Sequence, residues 1–344
     1  MMKPSNHFQA ERAAMNVLET HALTKAYGSK RALDALDMHV GAGDIYGFVG
    51  KNGAGKSTLM KIAAELIEST AGEIVLFGTT RAAMNPFDTE FSRIGALIED
   101  PGILPTYSAL ENLMCKAIAL GIPHPQDQCR ELLELVGLAD TGHTRAKKFS
   151  LGMKQRLGIA LALVGGPDLL LLDEPFNGLD PEATREMRNA LMRLNRERGV
   201  SMVISSHVLD QLDRMATRFG VIRSGRMVRE FSVDELHAAC MSSVRVKTAD
   251  PSRSLALLEE RLPGATLRME PDGSILVSGS SGVRPAQASF GGAATDASAS
   301  GAPTTEDVSR VLAETGQMIL ELTLIERDIE EYFVELMGGT DEHA

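Results

Sequence analysis

The chain has 344 residues, 44% of them hydrophobic, with 35 Lys+Arg against 46 Asp+Glu for a net charge of -11. This length and apolar content can fill one full-sized core and a second, smaller one, while the acidic balance argues against broad attraction to nucleic acid or anionic lipid. Cys115, Cys129 and Cys240 are scattered without metal-ligand spacing, which implies neither a disulfide framework nor a zinc site and suits a reducing cytosol.

Residues 1–16 read as a polar tail, and Met1 to Thr20 lacks the apolar stretch and small-residue cleavage site of a signal peptide. No apolar run reaches the roughly 18 to 20 residues that cross a bilayer. From 17 to 238 short branched-apolar runs alternate with helical patterns, the signature of an α/β domain. Leu18 to Leu23 and Ile74 to Phe77 read as antiparallel strands, and Gly220 to Val228 as a hairpin turning at Ser224-Gly225. Ile45 to Val49, Leu169 to Leu172 and Met202 to Ile204 are continuous apolar runs, as expected of parallel strands covered on both faces. A mixed sheet follows. Ser108-Ala109-Leu110-Glu111 is a capping-box start for a helix towards Leu120, and Gln126 to Val136 is a second helix, so about 100–165 forms a helical insert. No internal repeat is present, which excludes two equivalent units in tandem.

The region 241–344 predicts a small α+β domain: strand Ser243 to Lys247, helix Ser252 to Leu262, strand Ile275 to Ser278, helix Thr305 to Thr315, strand Met318 to Leu324 and helix Ile329 to Met337. The stretch 279–303 is rich in Gly, Ser, Ala and Pro with almost no charge, and predicts a flexible loop.

Chemistry enters with Gly50-Lys51-Asn52-Gly53-Ala54-Gly55-Lys56-Ser57, a phosphate-loop pattern set between the strand Ile45 to Val49 and a predicted helix Thr58 to Ile67. Glycines let successive N–H groups converge on phosphate oxygens, the helix N-terminus adds positive partial charge, Lys56 reaches the outer phosphates and Ser57 ligates magnesium. Leu169 to Leu172 then delivers Asp173 and Glu174 at the C-terminal end of a strand, where α/β sheets bind ligands. Asp173 suits the magnesium shell; Glu174 suits orienting or deprotonating a water that attacks the γ-phosphate. Ser150 can cap the helix that runs through Leu163, so its hydroxyl and neighbouring N–H groups make an anion site, one that lacks a phosphate in its own chain.

Phe149-Ser150-Leu151-Gly152-Met153-Lys154-Gln155-Arg156, some twenty residues before Asp173, resembles the signature motif of ATP-binding cassette (ABC) ATPases. The chain is therefore identified as a member of that family over about Leu18 to Val233. The resemblance implies a P-loop NTPase fold of ABC type, with a mixed sheet core, an antiparallel N-terminal sheet and a helical subdomain, followed by the accessory α+β domain. It implies ATP and Mg2+ as ligands and an ATP-sandwiched homodimer in which Ser150 and Gly152 of one copy close over the nucleotide held by Gly50 to Thr58 of the other. Tyr27 stands where the family stacks an aromatic on adenine, Asn177-Gly178-Leu179-Asp180 where it places a dimer-contacting loop, and His207 where its switch histidine contacts the γ-phosphate.

Glu99 stands where most members carry a glutamine that touches magnesium and the attacking water, and with Leu151 and Met153 it gives the chain the look of the bacitracin-resistance and lantibiotic-immunity branch of bacterial exporters. The implied metal set is Ser57, Glu99 and Asp173. Pro101 to Leu113 lies where the family docks the coupling helix of a permease on a separate chain, so the expected location is cytoplasmic, on the inner face of the cell membrane, with no nucleic acid partner. A soluble ATPase of the same family, acting on ribosomes or DNA without a permease, is the alternative.

Overall fold

The computed structural model describes residues 15–80, 93–240, 243–279, 304–325 and 328–338. The chain divides into two compact units, Asp234–Phe333 and the remainder. The expected tail 1–16 lies outside the described residues except for its last two positions, and the expected loop 279–303 lies outside them except for Gly279.

The first unit holds two sheets. Strands β1 (Asn16–Tyr27), β2 (Lys30–Gly41), β4 (Ala71–Leu76) and β5 (Thr79–Thr80) form an antiparallel sheet in the order β2-β1-β4-β5. Strands β3 (Ile45–Val49), β6 (Ile94–Leu97), β7 (Leu169–Asp173), β8 (Ser201–Ser206), β9 (Arg218–Arg223) and β10 (Arg226–Ser232) form the order β10-β9-β3-β8-β7-β6. The five strands β9, β3, β8, β7 and β6 run parallel and β10 closes the edge as an antiparallel hairpin with β9. Every residue of β3 and Leu169–Leu172 of β7 are buried, which is what their unbroken apolar runs require of central strands. Leu18, Leu33, Ile74, Phe48, Leu59 and Leu171 belong to one core that joins the two sheets to the helix after β3.

One buried polar network fixes this packing. Tyr46 on β3 is fully buried and donates its hydroxyl to Glu230 Oε1 at 2.7 Å, and the same carboxylate accepts from the His39 amide at 3.0 Å. Burial, and then the Glu230 charge, raise the phenol well above its ordinary value, so it remains a donor. A Cβ at residue 220 would lie 2.0 Å from that hydroxyl, so only glycine fits there.

Helix α1 (Lys56–Ala63) follows β3 and stops four residues before the expected Ile67. Glu65 has φ +59° and the Leu66 amide returns to Lys61 O at 2.8 Å, so the chain closes in a left-handed C-terminal turn before the apolar residues Leu66 and Ile67. In the insert, α2 (Ala109–Ala119) starts with the expected capping box: Glu111 N donates to Ser108 Oγ at 3.3 Å and Ser108 N to Glu111 Oε2 at 2.7 Å. Helices α3 (Gln126–Leu135) and α4 (Leu151–Leu163) complete it. The 18-residue α5 (Pro181–Arg198) was not singled out by sequence; Asp180 caps its start and Gly199, at φ +67°, its end. Short helices α6 (Asp210–Asp213) and α7 (Val233–Ala239) follow β8 and β10.

The second unit runs β11 (Ser243–Thr248), α8 (Pro251–Arg261), β12 (Ala265–Met269), β13 (Ile275–Gly279), α9 (Thr305–Glu314) and β14 (Ile319–Ile325), then α10 (Ile329–Leu336). The strand β12, absent from the sequence reading, turns the expected alternation into β-α-β-β-α-β. Its antiparallel sheet has the order β12-β13-β11-β14, the split βαβ arrangement. Val244, Val246, Ile275 and Val277 on the sheet pack against Leu258, Val308 and Leu312 of α8 and α9.

Candidate active site

The loop Gly50 to Thr58 leaves the C-terminal end of β3, which lies between β9 and β8 in the parallel set. Its glycines are there for two different reasons. A Cβ on Gly50 would lie 2.6 Å from Ile222 O, and one on Gly55 would lie 2.6 Å from Ala32 O, so both are forced by close packing under the loop. Gly53, at φ +78°, has open space around its Cβ position and is needed for the turn. Buried Ala54 anchors the loop: its amide donates to Lys51 O at 3.1 Å, and its carbonyl accepts from Gly225 N, at the tip of the β9–β10 hairpin, at 2.9 Å.

Helix α1 begins at Gly55 with φ +118° and no side-chain cap. Its first amides therefore point to where an anion would bind, the cradle that a phosphate requires. Lys56 is 6% exposed. Its Nζ donates to Gly50 O at 2.6 Å and stands 3.8 Å from Glu174 Oε1. Burial lowers its pKa from the ordinary lysine value, opposed by the Glu174 and Asp173 charges.

Tyr27, Lys30, Ala32, Asn52, Gly53, Gly55, Lys56, Ser57, Thr58, Asp173 and Glu174 line one cleft of about 330 Å³. The loop, the acidic pair and the expected adenine-stacking tyrosine thus come together. Tyr27 is 54% exposed, with Lys25 Nζ 5.1 Å from its ring centre.

The acidic pair is held by a residue to which sequence gave no role. Ser205, fully buried at the end of β8, donates to Asp173 Oδ1 at 2.5 Å and accepts from Glu174 N at 2.9 Å. Its signal was a serine directly after the apolar run Met202 to Ile204, at the C-terminal end of a strand. Glu174 sits at φ +48°, a left-handed conformation that costs a side-chain-bearing residue on the order of 1 to 3 kcal/mol. Gln155 Nε2 contacts the Glu174 carbonyl at 3.4 Å, and His207 Nδ1 is 2.9 Å from both Glu174 carboxylate oxygens. His207 therefore touches the carboxylate that sequence paired with the attacking water.

Two groups of expected site residues stand elsewhere. Ser150 and Gly152 line a separate cleft of about 510 Å³ with Leu151, Met153, Gly178 and Leu179, and none of its lining residues is shared with the phosphate-loop cleft. Ser150 caps α4 by accepting from Met153 N at 3.2 Å. Glu99, just beyond β6 at φ +59°, is 2.6 Å from Lys61 Nζ on α1, and it is absent from the lining of the phosphate-loop cleft. The structure brings Ser57 and Asp173 to one cleft and leaves Glu99 engaged outside it.

An uncapped helix end behind a glycine loop, faced by a strand-end carboxylate pair, is the apparatus of a nucleoside triphosphatase, and a two-sheet core with a helical insert narrows this to the ATP-binding cassette class. Residues 33–177 match the ABC transporter family. The chain is 36% identical to the bacitracin transport ATP-binding protein of Bacillus licheniformis over 94% of this chain and 98% of that one. It is 37% identical to the lantibiotic transport ATP-binding protein of Streptococcus pyogenes, covering 63% of this chain and 92% of the relative. A solved ATP-binding subunit of an ABC transporter, 28% identical, superposes with a TM-score of 0.58 over 64% of this chain and 92% of that one. The chain belongs to the ATP-binding proteins of the ABC transporter family, is an ATPase, and resembles the bacitracin and lantibiotic branch.

Proposed function

We propose that this ATPase powers export of a peptide antibiotic through a permease on a separate chain, working as a homodimer that sandwiches two ATP molecules. The observation that carries the sandwich is the separation of two anion-ready helix starts: the N-terminus of α1 and the N-terminus of α4 lie in clefts with no residue in common. A nucleotide bound to the first has no signature motif beside it until a second copy supplies one. Export is supported by the bacitracin and lantibiotic transport relatives. A separate permease is supported by the absence, among the described residues, of any helix long and apolar enough to cross a membrane. Leu104 and Tyr107, both 43% exposed, give the segment 101–113 an apolar face suited to docking it at the inner face of the cell membrane.

Within this reading the loop amides and Lys56 bind the ATP phosphates. Ser57 and Asp173 supply oxygen donors of the kind magnesium takes, few in number, leaving the remaining positions to phosphate and water. When bound, the ion neutralises charge on the β- and γ-phosphates. Glu99, paired through Oε1 with Lys61 and absent from the cleft lining, would join this set only by reorienting. Glu174, held by Ser205, Gln155 and His207, orients and deprotonates the attacking water, and His207 carries the state of the γ-phosphate to that base. Tyr27 offers an exposed ring to the adenine.

The test is Glu174→Gln with ATP and magnesium, followed by light scattering. Dimers that resist dilution more strongly with ATP than without it, with hydrolysis reduced about 10²- to 10⁴-fold, are expected. A variant that stays monomeric with ATP, beside a wild type that hydrolyses it, would sink the sandwich.

A further inference from the structure

The two edges of the accessory sheet differ in how they meet solvent. On β12 the edge carries Arg268, 76% exposed at its side chain, and an acid follows the strand at Glu270. On β14 the edge reads Ile319-Leu320-Glu321-Leu322-Thr323-Leu324-Ile325, with one charge and neither lysine nor proline. Edge strands in soluble proteins are ordinarily guarded by such residues, because unpaired backbone donors and acceptors invite another strand. A register shift opposite Lys247/Thr248 disturbs β14 at Leu320, which leaves Glu321–Ile325 as a regular stretch paired to β11 on its inner side. Leu324 is 44% exposed although its partner Val244 is fully buried. The face that covers the rest of the sheet therefore gives out at this edge.

We infer that β14 pairs antiparallel with β14 of a second copy about a two-fold axis at Thr323, merging two accessory sheets into one. The sequence of the regular stretch is compatible with itself in that register. Thr323 meets Thr323 of the partner subunit, an opposition that strands favour. Leu322 faces the partner's Leu324 and the reverse, so the exposed Leu324 gains apolar cover. Glu321 faces the partner's Ile325, so no like charges oppose each other in a chain whose net charge of -11 otherwise makes copies repel. The contact is isologous and closes on itself, ending at a dimer rather than a fibre. It requires no nucleotide and stands independently of the ATP sandwich. Its consequence for the ATPase is a raised effective concentration of one catalytic unit for the other.

Thr323 is exposed and distant in sequence from the active site, so charges placed there test the axis directly. Without nucleotide, sedimentation of the wild-type full chain should show a dimer. Thr323→Lys and Thr323→Glu should each raise its dissociation constant at least about tenfold by placing like charges on the axis, with unchanged thermal unfolding of the monomer. Mixing the two variants should restore a dimer containing one of each. ATPase activity per chain should fall on dilution for each variant at concentrations where the wild type holds its rate, and should recover at high protein concentration. Glu174→Gln combined with Thr323→Lys should still dimerise on adding ATP, which separates this contact from the sandwich. A wild type that is monomeric without nucleotide, because its own residues or another protein cover the edge, overturns the proposal. So does a nucleotide-free dimer that neither variant weakens, or a mixture that fails to re-form one.

Discussion

Helices α1 and α4 both begin at anion-ready ends, and they satisfy their first amides in opposite ways. Helix α1 starts from Gly55 with no side-chain cap, and its deepest cation, Lys56, turns back on the Gly50 carbonyl. Helix α4 starts from Ser150, whose hydroxyl already accepts from Met153 N. The first end is left open where the triphosphate is expected, and the second already has one of its first amides satisfied by its own cap. The difference separates chemistry from assembly: damage to the α1 end should abolish hydrolysis, whereas damage to the α4 end should also register as lost stability without any ligand.

The largest effect is expected from Lys56→Ala, which removes the buried cation 3.8 Å from Glu174. ATP hydrolysis measured by phosphate release should fall at least about a thousandfold, because a preorganised charge aimed at the phosphates is lost. A smaller loss would mean that the loop amides carry the site. Next comes His207→Ala, which frees the Glu174 carboxylate from its contact on both oxygens. Turnover should drop roughly a hundredfold with little change in ATP affinity, the low end for a disturbed general base. Weakened ATP binding at unchanged turnover would instead make His207 a binding residue.

Ser150→Ala tests the other helix start. Loss of an N-cap should lower stability by about 1 kcal/mol in nucleotide-free thermal or denaturant unfolding, and this is the measurement that distinguishes a self-capped end from an open one. No change in unfolding would remove the contrast drawn between α1 and α4. The smallest effect belongs to Glu99→Gln. Its carboxylate is 62% exposed at the side chain and bound to Lys61, and exposed pairs contribute roughly 0.2 to 1 kcal/mol. ATPase activity should stay within about tenfold of wild type; complete loss of hydrolysis would place Glu99 at the metal in the working enzyme.

Much of this site was legible in the residues because it is local. A phosphate loop is one contiguous segment, its glycines are dictated by backbone approach, and the acidic pair directly follows an apolar strand, so sequence order alone suggested Gly50 to Thr58, Asp173 and Glu174. The capping box at Ser108 and the N-cap at Ser150 follow the same logic, since each involves residues three apart. The helix α1 was overrun to Ile67 because Leu66 and Ile67 continue its apolar pattern, while the left-handed turn at Glu65 leaves no mark in residue type. Strand β12 was missed because Ala265–Met269 is half exposed and lacks a continuous apolar run.

Sequence by itself suggested the candidate site residues, most of the element order and the family resemblance, because chemistry-bearing motifs are short and read along the chain. Only the tertiary structure decided which of those residues meet. It joined Tyr27 to a loop some twenty residues away and made Ser205 the hinge between Asp173 and Glu174. It also kept Ser150 in a different cleft and tied Glu99 to Lys61. The physical reason is that strand order and register set these distances, and parallel pairing of β7 with β8 places Asp173 beside Ser205 although 32 positions separate them.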